Sequence, residues 1–179
     1  MSLRDVTFDE AREEMRSRAP LPGPETVPIA ALVGRRLARD VRSRIDSPAF
    51  TNSAMDGFAV RAAEAAAGAP LRIAGESRAG VPFAGGAGPG EAVRISTDAV
   101  LPDGFDAVLR VEDADEAGGA VTARVPPAEG AFVRRRAEDV CRGDLLLPAS
   151  HRVAPHEIAA LAAVGVADAL CDRRLRVTA

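Results

Sequence analysis

Residues 47–60, SPAFTNSAMDGFAV, decide how this chain is read. A short polar run containing Asn52 and Ser53 leads through Asp56-Gly57 into Phe58, Ala59 and Val60, which have strand character. Asn52 and Ser53 carry compact hydrogen-bonding groups and Asp56 a carboxylate, while glycine at 57 permits a positive φ or a close backbone approach. The pattern suits the rim of a binding site, with Asp56 held at a strand entrance. On spacing alone, however, Asp-Gly is the commonest hairpin signal and a plain turn is the ordinary reading.

Outward from this stretch, residues 57–125 alternate short apolar runs with turn chemistry. They predict strands over 58–61, 71–73, 92–95, 107–111 and 120–125. Upstream, Thr7-Phe8-Asp9-Glu10 has the form of a capping box and predicts a helix over 8–18, closed by the proline-rich residues 19–24. A short helix near 28–33 and a strand over 36–41 follow. Downstream, Pro155, then Ile158, Leu161 and Val164 at helical spacing, then Gly165, predict a second helix. Its apolar face should pack on the first helix, and a last strand is expected over 175–177. This order predicts a mixed α+β fold, mainly β. Residues 1–46 and 145–179 would form a discontinuous helix-containing domain, and 47–144 an inserted β-rich domain.

The net charge of −3, with acidic and basic residues interspersed, gives a nucleic-acid role no support. No apolar run approaches the ~18 residues of a membrane span, and the opening MSLRD is too short and polar for a signal peptide. A cytoplasmic protein is expected. With no Trp or Tyr and six Phe, the core must be built mostly from Ala, Val and Leu. Cys141 and Cys171 lack zinc-site or disulfide spacing and are expected to be buried thiols. The glycine-rich residues 80–90 lack a GK[ST] ending and a following helix, so they read as a surface loop. Arg142-Gly143-Asp144 reads as a turn, and His156 as a surface or capping group.

Four ordered blocks carry a resemblance: residues 47–60, then EAVRISTDAVLPDGFDAV (91–108), VRRRAEDVCRGDLLLPAS (133–150) and VAPHEIAALAAVGVADALCDRRLRV (153–177). Together they resemble the molybdopterin molybdenumtransferases, the family that includes the bacterial molybdenum-insertion enzyme and the E domain of gephyrin. The resemblance implies a discontinuous α/β first domain with a barrel-like β domain inserted in it. Family members continue into a nucleotide-fold domain with a Thr-Gly-Asp-Glu motif, so these 179 residues are read as an N-terminal half, inactive alone. The resemblance further implies cleavage of adenylated molybdopterin, insertion of molybdate, release of AMP and a need for Mg²⁺. It also implies a homodimer, with the site between this β domain and the nucleotide-fold domain of the other subunit.

By the same resemblance, the family's functional Asp falls on Asp56, its Thr on Thr97, and the Arg and Asp of its Arg-rich block on Arg134 and Asp139. The family usually has glycine where Asp98, Ala137 and Ser150 stand; a positive φ at either of the first two would require a different local backbone here.

The chemistry agrees with these residue types. Bringing molybdate to a phosphate-bearing substrate gathers negative charge that cations must offset. Arg134 and Arg136, alternating along an extended segment, would point together and fork onto oxyanion oxygens. Asp56 and Asp139 would hold Mg²⁺ or position a water or proton, since carboxylates repel a bare oxyanion. Thr97 would donate its hydroxyl to the substrate, and Ser53 would contact it as well. Each has an ordinary alternative: a solvated charge run for the arginines, a strand-end residue for Thr97. The competing function, from another class, is a non-catalytic dimerisation or scaffolding module.

Overall fold

The computed structural model describes residues 6–18, 23–66 and 68–175. In chain order they form helix α1 (Phe8–Arg18), strands β1 (Pro24–Pro28), β2 (Val41–Arg42), β3 (Asn52–Ser53), β4 (Gly57–Val60), β5 (Pro70–Ser77) and β6 (Glu91–Ile95). They continue with β7 (Ala107–Arg110), β8 (Ala114–Ala117), β9 (Ala120–Ala123), β10 (Val133–Arg134), β11 (Leu145–Leu147), helix α2 (Glu157–Ala163) and β12 (Asp168–Asp172). A 3-10 turn at Ile29–Ala31 takes the place of the expected short helix. The described fold is therefore mainly β with two helices. It divides into two compact units: Ser43–Asp144 with Ala163–Gly165, and Met1–Arg42 with Leu145–Ala162 and Val166–Ala179.

The first of these, the sheet unit, is organised by six strands in the order β7-β4-β6-β5-β9-β8. All pairs are antiparallel except β5 with β6. Small β-branched and alanine side chains alternate across this sheet, and both faces are covered. Phe58, Val60, Leu71, Ala92, Leu109 and Val121 enter one buried cluster. Ala59, Val93, Ile95, Leu101, Phe105 and Val108 enter another. Successive residues of one strand thus serve opposite cores, which is the period-two consequence of the pleat.

Asp56-Gly57 is not a hairpin turn. Gly57 is already within β4, facing Ile95 on one side and Arg110 on the other. A Cβ placed there would lie 2.1 Å from the Leu109 carbonyl oxygen. Glycine is needed for close approach of a neighbouring strand, and no positive φ is involved. The glycine-rich segment is the loop expected, with a definite anchor: a Cβ at Gly75 or Gly85 would fall 2.3 or 2.5 Å from the Phe83 ring. Arg61 adds hydrogen bonds to the carbonyls of Ala87 and Gly88 and stacks its guanidinium 4.8 Å from the Phe105 ring centroid.

The second unit is held by distant segments. β1 pairs antiparallel with β12, and β2 with β11. The expected strand over 36–41 is instead two isolated bridges, Arg36 to Arg152 and Leu37 to Cys171, followed by the two-residue β2, because successive residues find different partners. The last strand is β12 rather than 175–177: Leu175 is exposed and outside any strand, and 176–177 lie outside the described residues. Residues 19–22 of the proposed helix stop also lie outside them.

The α1 capping box forms as expected. The Glu10 carboxylate accepts from the Thr7 backbone N–H at 2.8 Å, and Glu10 N–H donates to Thr7 Oγ1 at 3.2 Å. Yet α1 buries none of its residues, and Phe8 and Met15 are 80% and 67% exposed, so the expected packing of α2 on it is absent. α2 ends at Gly165, whose φ of +79° lets Val166 N–H reach the Leu161 carbonyl. Cys171 is buried as expected, whereas Cys141 is exposed.

Asp98, Ala137 and Ser150 take φ values of +63°, +62° and +69°. The backbone therefore keeps the left-handed conformation without glycine, contrary to the expected local change. Ala137 has no side-chain hydrogen bond to compensate. Replacing it with glycine should raise the unfolding free energy by about 1 kcal/mol, the αL strain removed less the extra unfolded-chain entropy. Urea denaturation checks this; an unchanged or lower midpoint would contradict it.

Candidate functional site

The site is built within the sheet unit around the two-residue strand β3. On one side β10 pairs with it, setting Arg134 opposite Asn52 and Val133 opposite Ser53. On the other, Ser53 N–H donates to the Ala99 carbonyl at 3.1 Å and Asp98 N–H to the Ser53 carbonyl at 2.9 Å. β3 thereby fastens the 96–99 turn and the arginine-rich segment to one piece of backbone.

Ser53 is completely buried. Its hydroxyl donates to the Met55 carbonyl and accepts from Met55 N–H at 3.2 Å, a local turn that aims the chain toward Asp56. Its hydroxyl is engaged in shaping this turn.

Asp56 Oδ1 accepts from Thr97 N–H at 2.7 Å and from Thr97 Oγ1 at 3.0 Å, joining residues 41 apart in sequence. The backbone hydrogen bond first, and the hydroxyl second, hold the Asp56 carboxyl below the usual Asp range, so it is ionised at neutral pH. Thr97 has a single O–H, and Asp56 takes it. In this arrangement its oxygen is left as an acceptor, and its hydroxyl is polarised by a carboxylate.

Arg134 Nη2 donates to Asp139 Oδ2 at 2.6 Å. That bond, then the charges of Asp139, Glu138 and Asp98, raise the Arg134 pKa above its ordinary value. Arg136 does not join it. Only Val133 and Arg134 are extended; the chain then turns, and Arg136 bonds Asp46 through Nε at 2.6 Å while its N–H reaches Thr51 Oγ1 at 3.3 Å. The alternation argument fails because the segment stops being a strand. Asp46 is itself held below the usual Asp range, by the Arg142 N–H first and the Arg136 side chain second.

Of the residues singled out from sequence, the structure groups Asp56 with Thr97 and Arg134 with Asp139, and sends Arg136 to a separate carboxylate. Asn52, read from sequence only as a compact hydrogen-bonding group, sits in β3 itself. It is 5% exposed, and its Oδ1 is buried without a hydrogen-bond partner. Such an acceptor costs about 1–3 kcal/mol unless a donor reaches it, and a buried water is the donor that fits so enclosed an atom. Its position between Asp56 and the arginine-rich segment was visible only after β3 and β10 were paired.

No group of three His, Cys, Asp or Glu capable of holding a metal occurs among the described residues. Mg²⁺ commonly takes one or two protein carboxylates, with water and substrate phosphates completing its shell. Asp56 fits that donor requirement: it is ionised, and its described hydrogen bonds fall on one oxygen. Asp139 fits less well, being committed to Arg134.

Comparison with known proteins bears on the whole arrangement. Residues 6–165 match the family described as the MoeA N-terminal region, domains I and II. A molybdopterin molybdenumtransferase from Haemophilus influenzae is 37% identical over 174 residues, covering 96% of this chain and 43% of that protein. Molybdopterin molybdenumtransferase 2 from Mycobacterium tuberculosis is 35% identical, covering 92% and 41%. The crystal structure of a MoeA molybdopterin biosynthesis protein from Pyrococcus horikosii superposes with a TM-score of 0.84 at 34% identity, covering 94% of this chain and 44% of that one. The chain thus spans about two fifths of the curated relatives it matches.

Proposed function

This chain belongs to the family of MoeA N-terminal regions, and on that premise we propose that it supplies part of a molybdopterin molybdenumtransferase, which inserts molybdate into adenylated molybdopterin and releases AMP. The observation that carries this reading is the mounting of the Asp56–Thr97 and Arg134–Asp139 pairs on the two sides of β3. One pair offers an ionised carboxylate and a polarised hydroxyl, the other a cation, as a reaction between anions requires.

In this proposal Arg134 faces the oxyanion charge, Asp139 orients its guanidinium, and Thr97 is fixed by Asp56. Asp56 would be the first carboxylate to hold Mg²⁺, which supplies neutralising charge beside phosphate and molybdate oxygens. We assign the helix-containing segments 1–46 and 145–179 to a discontinuous first domain and 47–144 to an inserted barrel-like β domain. A nucleotide-fold domain, provided in a cytoplasmic homodimer by the second subunit, would complete the cleft.

The isolated 179 residues should therefore be inactive. Incubation with adenylated molybdopterin, molybdate and Mg²⁺ should release no AMP above background, and added longer enzyme should restore release. Turnover by the isolated chain would overturn the half-site reading.

A further inference from the structure

We propose that the second unit carries an anion pocket for phosphate-bearing small molecules, separate from the proposed substrate site and formed around Arg36, Arg152, Arg173 and Arg174. The pocket measures about 840 Å³ and shares no residue with the β3 site. Five arginines line it against a single lining carboxylate, Asp172, in a chain whose net charge is −3. Lysine does not occur in the sequence, so every basic side chain is a fork suited to paired bonds with phosphate oxygens.

Arg35 is the internal support. It is 8% exposed, and its Nη2 is engaged by Glu25 Oε1 at 2.5 Å and the Asp172 carbonyl at 2.7 Å. The other arginines are not consumed in this way. Arg36 and Arg152 are direct partners in an antiparallel bridge, so two cationic side chains leave the backbone side by side, with Asp172 the one carboxylate lining the pocket beside them. Arg36 uses Nη2 on Ser150 Oγ at 3.0 Å, and its Nε is 3.6 Å from Asp172 Oδ2. Arg152 spends Nη1 on the Gly34 carbonyl. Arg173 approaches Glu25 only at 3.9 Å, and Arg174 has no hydrogen-bond or ion-pair partner among the described residues.

With five N–H groups on each guanidinium, most donors of this cluster face solvent and are open to a ligand. Ser150 accepts from Arg36 and so keeps its own O–H for a further acceptor. A carboxylate brings one charge, which Asp172 already supplies. A phosphate group brings more charge and three acceptor oxygens, matching both the excess of cations and their number.

The test is calorimetric titration of the 179-residue chain with inorganic pyrophosphate and, separately, with AMP, at matched low ionic strength. Saturable one-to-one binding is expected. Arg36→Gln and Arg152→Gln should each weaken it by about tenfold, the loss of one charge-assisted contact. Arg124→Gln, an exposed arginine of the other unit, should leave pyrophosphate binding unchanged. Both pocket side chains are exposed, and circular dichroism of the variants confirms the fold. Equal affinity for the two probes would show that the phosphate group alone is recognised; tighter AMP binding with the same sensitivity would extend recognition to the nucleoside. No saturable binding, binding indifferent to Arg36→Gln and Arg152→Gln, or binding lost only with Arg134→Gln would overturn the proposal. The last outcome would concern the β3 site, so failure of the pocket is distinguishable from failure of the proposed function.

Discussion

Gly57→Ala should abolish stable folding of the sheet unit. The added methyl would sit 2.1 Å from the Leu109 carbonyl oxygen, 2.9 Å from its carbon and 3.0 Å from Arg110 Cα. These are backbone atoms of β7, paired to β4 along the whole length of that strand, so no side chain can swing aside. Relief would require β7 to part from β4 and the two buried clusters on either face to open together. We expect a loss above about 3 kcal/mol, a large part of a typical domain's 5–15. Gly86→Ala is the control: no heavy atom lies within 4 Å of its built Cβ. Thermal unfolding of the two variants side by side decides the matter; a Gly57→Ala midpoint equal to that of Gly86→Ala would show that the sheet can spread there.

Asp56→Asn should have the second large effect, on chemistry rather than folding. The asparagine amide oxygen can still accept both bonds from Thr97, so the 96–99 turn keeps its anchor. What disappears is the ionised carboxylate, and with it the proposed ligand for Mg²⁺ and the polarisation of the Thr97 hydroxyl. In the longer transferase, molybdenum insertion should fall at least about 100-fold, the usual scale for removing one electrostatic group from a reaction site, with the melting temperature nearly unchanged. A fall of less than threefold would favour the scaffolding alternative, in which this charge has no task.

Local signals explain which elements were legible beforehand. α1 followed from a capping box and a proline block, and the strands beginning near Phe58, Leu71, Ala92, Ala107 and Ala120 followed from alternation between turns. β3, β10 and β11 have two or three residues each and exist only because a distant partner meets them, which no local window records. The same limit applies to the site. Asp56 and Thr97 stood out as residue types, but their hydrogen bonds arise because β4 and β6 are neighbours. The pairing of Arg134 and Arg136 was misjudged for the converse reason: a strand period was extended past the point where the chain turns. Of the two readings of Gly57, positive φ or close approach, the second holds, and what approaches is the Leu109 carbonyl of the neighbouring strand.

The β1–β12 pair carries a consequence for synthesis. All five residues of β1 find their partners in β12, from Pro24 with Asp172 to Pro28 with Asp168. At about 5–20 residues per second, β1 has left the ribosome for on the order of ten seconds before its partner is made. Throughout that interval the whole sheet unit is emerging and can fold, while β1 presents an unpaired edge of the kind that invites foreign strands. Order of translation therefore lets the sheet unit fold before β1 can meet its partner, and β1 pairs only once β12 has been made.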